Sequence, residues 1–181
     1  MNLKLDVIVD EVKGRPIDHL VEALMKQVRA EAEPWKNFIF IPELGMYVEF
    51  GKKDDMAERA VFDVDTEVDV FLKSDKKVLL IQGGGGSGKS LFCHVLIGKI
   101  LKDERQRYLN VIPLFINLPS LKDPISSVLV ETLLAKDFKE AEIQTLKKSD
   151  VKLLLLLDGY DEIKETKNIF NSSHLMDWKN C

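Results

Sequence analysis

The sequence predicts an α/β domain with a mostly parallel sheet, and three observations predict it. From residue 64 onward, stretches with helical periodicity alternate with short apolar runs. Three of those runs, "KKVLLIQ" (76–82), "VIPLFINL" (111–118) and the leucine run at 151–157, are continuous in the way of strands buried on both faces. The first of them opens directly into "GGGGSGKS" (83–90), with a helical stripe behind it.

The elements follow in order. Ile17, Leu20, Val21, Leu24, Met25 and Val28 fall at helical spacing behind Pro16, which predicts a packing helix over about 16–31. "FIFIPELGMYVEF" (38–50) is apolar and broken by Pro42 and Gly45, and reads as an extended segment or hairpin. "GKKDDMAERA" (51–60) is polar and reads as a linker. Residues 1–60 are therefore expected to be a helical and irregular extension of unassigned role, and 61–181 the domain proper. Thr66 and Asp69 stand at capping-box spacing ahead of a short helix at about 64–74. After the strand at 76–82 and the glycines, Leu91, Phe92, Val95, Leu96, Ile100 and Leu101 mark a helix reaching about 102. Helices at about 125–136 and 139–148 separate the second strand from the third. The third strand ends in "DGYDE" (158–162).

Composition narrows the classes. Of 181 residues, 45% are apolar and 31% charged, with a net charge of −4. Those values suit a soluble globular chain and argue against a nucleic-acid platform, which needs a basic face. Cys93 and Cys181 form no framework and no metal-ligand spacing. His19, His94 and His174 are scattered, and with Trp35 and Trp178 they read as packing or surface residues. The charged start is no signal peptide, and no apolar run approaches the ~20 residues that span a bilayer. A cytoplasmic location and no membrane partner are expected.

Gly83, Gly84, Gly85, Gly86, Ser87, Gly88, Lys89 and Ser90 match G-x-x-x-x-G-K-[ST], the phosphate-binding loop, with the strand before and the helix after that the motif requires. Glycines let the backbone curl so that successive N–H groups point at phosphate, and the helix adds the positive end of its dipole. Lys89 is expected to reach the β- and γ-phosphates, and the Ser90 hydroxyl to be a ligand of Mg²⁺. A second, independent signal is Asp158. A carboxylate behind five leucines is costly unless a cation compensates, so Asp158 is the candidate metal aspartate. Asp161 or Glu162 is expected to orient or activate an attacking water, and the sequence leaves open which.

"GGGGSGKS", "VIPLFINLPSL" and "LLLLLDGYDEI", in this order and behind "FDVDTEVDVFLKSDKKVLLIQG", resemble the NACHT family of STAND-class P-loop NTPases, above all the NACHT modules of large proteins of single-celled eukaryotes. The resemblance covers about 61–180. It implies an ASCE-type three-layer αβα parallel sheet, incomplete at the C-terminus. It also implies ATP or ADP with Mg²⁺ as cofactors, and a signalling switch whose nucleotide state controls conformation and oligomerisation with other domains or subunits. The family's next strand, sensor arginine and winged-helix histidine are not in this sequence, so the chain is expected to be a piece of a longer protein. Hydrolysis is expected to be slow or absent, because no arginine follows Arg107. The alternatives are a scaffold module that keeps a nucleotide site without catalysis, and a small-molecule kinase, which would need a lid with arginines.

Overall fold

The computed structural model describes residues 17–35, 44–46, 61–102, 111–163 and 169–178. In chain order the elements are α1 (Asp18–Ala32), β1 (Leu44–Met46), β2 (Val61–Asp63), α2 (Val64–Leu72), α3 (Lys89–Lys102), β3 (Val111–Asn117), α4 (Val128–Ala135), α5 (Glu140–Lys147), β4 (Lys152–Asp158) and α6 (Ile169–Ser172). They divide into two compact units. One joins residues up to 37 with those from Gly88 onward, and the other spans 38–87.

The larger unit is built on β3 and β4, which pair in parallel from Val111 opposite Lys152 to Asn117 opposite Asp158. A parallel pair needs a long crossover, and α4 and α5 supply it. Leu114, Ile116, Leu118, Val128, Leu129, Leu133, Ile143 and Leu146 are buried together around that crossover. Helix α4 begins at Val128, later than the periodicity predicts. The Asp123 carboxylate accepts hydrogen bonds from the N–H groups of Ile125 and Ser126 and holds 123–126 as a turn. Helix α5 is capped by Glu142, whose carboxylate accepts from the Lys139 N–H at 2.7 Å, the returning half of a capping box.

Helix α1 belongs to this same core. Leu20, Leu24, Val28 and Ala32 are buried among the side chains of β3, α4 and α5. Gln27 donates to the Lys136 carbonyl, and Glu31 pairs with the Lys136 ammonium, which fixes the helix against the turn after α4.

In the smaller unit β1 and β2 pair antiparallel, Leu44 opposite Asp63 and Met46 opposite Val61. Of the segment 38–50, read as extended or as a hairpin, only 44–46 is described, and its partner, 61–63, lies outside that segment; the linker expected at 51–60 lies outside the described residues. Helix α2 is capped differently from the sequence reading. Asp63, in extended conformation, accepts from the Asp65 N–H at 2.9 Å. It stands one residue before the helix, the position from which a short side chain reaches the free N–H groups of the first turn. Thr66 is already inside the helix.

The strand predicted at 76–82 is not formed. The run pairs with no strand among the described residues, and Val78 and Leu80 are each 59% exposed. A parallel strand this apolar is stable only with neighbours that take its N–H and C=O groups and cover both faces. The described parallel ladder has only β3 and β4, so the three-layer sheet is not complete here.

Candidate functional site

The boundary between the two units falls between Ser87 and Gly88, inside the glycine loop. On the near side, Gly86 has φ +75°, which only glycine adopts without strain. Side chains built at Gly84, Gly85 or Gly86 would meet nothing within 4 Å, so the run is not dictated by crowding from the protein itself. The Ser87 N–H closes a turn on the Gly84 carbonyl at 3.2 Å. The Ser87 hydroxyl is buried and has no hydrogen-bond partner among the described residues. Burying a hydroxyl without a partner costs about 1–3 kcal/mol, so a site that supplies an acceptor is favoured.

On the far side, Gly88 (φ +86°) leads into α3, and its carbonyl accepts from the Phe92 N–H at 2.8 Å. Lys89 is the first residue of the helix, and no acidic side chain occupies the first turn to compete for its positive end. Ser90 follows. Its hydroxyl donates to Asp158 Oδ2 at 2.7 Å, a hydrogen bond between residues 68 positions apart. Asp158 ends β4, opposite Asn117.

Beyond it the chain reverses sharply. Gly159 sits at φ +76°, ψ +27°, and a Cβ there would stand 2.7 Å from Pro119 Cδ. The turn Tyr160–Glu162 is then closed by the Glu162 N–H on the Gly159 carbonyl. Asp161 and Glu162 are both exposed. The structure thus brings Ser90 and Asp158 together, starts α3 at Lys89, and sets Asp161 and Glu162 on a turn just past Asp158. Among the described residues no three His, Cys, Asp or Glu side chains converge on a common cation position, so Asp161 and Glu162 do not join Asp158 in one metal cluster.

The sequence reading missed Gly159 and Pro119 as a pair, and it gave His94 no place at the site. His94 lies one turn after Ser90 on α3, with its ring between those of Trp35 and Phe115. Burial lowers its pKa, and the charges of Asp158 and Glu31 oppose that shift. A base with a lowered folded pKa takes up protons more readily when unfolded. Its contribution to stability is therefore present above the ordinary histidine value near 6.5 and lost as pH falls below it. Melting temperature is expected to drop between pH 7 and 5.5, and His94→Phe to flatten that slope. An unchanged slope in the variant would refute the assignment. The thiol of Cys93, beside His94, is pushed up to about 11 by burial and by Asp158, and so stays protonated.

A glycine loop running into a helix N-terminus, with a strand-end aspartate held against the helix's second residue, is the arrangement a P-loop NTPase needs after the strand that leads into the loop, which is not formed here. The family model described as "NACHT domain" matches residues 77–179, more than half of the chain. The chain belongs to the NACHT family, and with it to the nucleotide-binding NTPase modules. No curated protein and no solved structure matches it. Among the described residues, no helix is long and apolar enough to cross a membrane.

The residues fit a magnesium nucleotide. A hydroxyl and a carboxylate in contact form the oxygen donor set that Mg²⁺ takes alongside phosphate. The buried, unsatisfied Ser87 hydroxyl and the uncrowded glycines suit a phosphate chain.

Proposed function

We propose that this chain is the ATP- and ADP-binding part of a NACHT-type switch, in which the bound nucleotide controls conformation and assembly with other domains or subunits. The observation that carries the reading is the 2.7 Å contact of Ser90 with Asp158 at the head of α3. Gly83, Gly84, Gly85, Gly86 and Gly88 provide backbone N–H groups to the phosphates, and Ser87 gives its buried hydroxyl. Lys89 neutralises β- and γ-oxygens. Ser90 and Asp158 hold Mg²⁺, Asp158 directly or through water. The metal, when bound, offsets charge on the phosphate oxygens. Asp161 or Glu162, exposed on the turn past Asp158, orients or activates water. The preference for adenine rests on family likeness.

Calorimetry tests the reading. Lys89→Ala removes charge-assisted contacts and is expected to weaken Mg-ATP by at least about tenfold. Equal affinity in wild type and variant overturns it.

A further inference from the structure

Helix α3 carries Ser90 and His94 four residues apart, one above the other on one face. Ser90 points at Asp158, and His94 is held between two aromatic rings. Trp35, from the 3-10 turn Glu33–Trp35 that follows α1, lies flat on the imidazole, with centroids 4.3 Å apart and planes 5° from parallel. Phe115 meets the other side at 4.2 Å, tilted by 38°. Phe115 is on β3 opposite Leu156 of β4, two positions before the pair Asn117 and Asp158. The strand pair that presents Asp158 therefore supplies one jaw, and the segment after α1 supplies the other. A ring gripped on both faces fixes how far α3 is rotated about its axis, and that rotation aims the Ser90 hydroxyl.

We propose that Trp35 is a positioning residue for the metal site, acting through His94 to set the rotation of α3 and so keep Ser90 against Asp158. The inference rests on the reading that Ser90 and Asp158 hold Mg²⁺ with a nucleotide. It gives the N-terminal segment a task that its burial alone does not require. Leu20, Leu24 and Val28 already anchor α1 in the core, whereas Trp35 is only partly buried and sits on the helix that carries Ser90. Offset or parallel ring pairs are worth enough, beyond their buried area, to shift an equilibrium by about two- to tenfold.

The test measures ADP affinity by calorimetry with Mg²⁺ and with EDTA, and takes the ratio as the magnesium increment. Trp35→Ala is expected to lower that increment about three- to tenfold. In a Ser90→Ala background, where there is no hydroxyl to aim, Trp35→Ala is expected to lower it no further. Trp35→Phe and His94→Phe, which keep a ring in each place, are expected to retain most of it. A purely structural Trp35 gives the same loss in both Ser90 backgrounds, and that result overturns the proposal, as does an increment equal to wild type. If Trp35→Ala does not fold, the same cycle with His94→Ala decides by the same criteria. Wild-type protein that binds ADP with no magnesium increment overturns the metal role of Ser90 and Asp158 and the inference with it. ADP binding with an increment that Trp35 does not affect overturns the inference alone.

Discussion

Leu24→Ala is expected to lower the unfolding free energy of the larger unit by about 2–5 kcal/mol, the usual cost of emptying a fully buried leucine position. Leu24 is 0% exposed, and it shares a core with Leu114, Leu129 and Ile143. The place of the effect matters as much as its size. A helix merely laid on the surface would fray alone and leave the melting of the α/β elements unchanged. If α1 is part of the core, circular dichroism and hydrogen exchange at β3 and β4 should shift together with it. Loss confined to α1, with β3 and β4 still protected as in wild type, would contradict the shared core.

Gly159→Ala combines two penalties at one atom. The backbone at φ +76° costs a non-glycine residue about 1–2 kcal/mol. The added methyl would also press on the Pro119 ring at 2.7 Å, and overpacking of this kind costs roughly 1–3 kcal/mol more. Both strands end here, so the protein is expected to relieve the clash by moving the 158–162 turn. Stability and Mg-nucleotide affinity should therefore fall together. Pro119→Ala in the Gly159→Ala background should recover the overpacking part and leave the conformational part. No recovery would show that Pro119 is not the obstacle.

Much of this arrangement was legible because its signals are local. Strand β4 is a leucine run ended by an aspartate, and the loop at 83–90 is a spacing of residue types. The stripe of α1 is periodic over three turns. Each can be read within a dozen residues, and the contact of Ser90 with Asp158 joins two such signals. What escaped depends on partners distant in the chain. "KVLLI" reads the same whether or not a neighbouring strand accepts its hydrogen bonds, so its apolarity alone predicts a burial that 78–81 does not have. Gly159 is explained by Pro119, some forty positions earlier, and His94 by Trp35 and Phe115, on opposite sides of it in sequence. Nothing in the composition of α1 says that its apolar stripe belongs with β3 and α4 and not with the residues that follow it directly.

That discontinuity has a consequence for biosynthesis. Helix α1 leaves the ribosome early, yet the side chains that bury Leu20, Leu24 and Val28 belong to elements from α3 onward, and the whole second unit of residues 38–87 is translated in between. At ordinary elongation rates the wait is roughly 5–20 s. During it the helix presents an uncovered apolar stripe. The thermodynamic penalty for the long intervening loop grows only logarithmically and is modest. The kinetic one is larger, because an exposed stripe can bind elsewhere for all of that time. Synthesis should therefore depend on a chaperone that holds nascent chains more than the chain's size suggests.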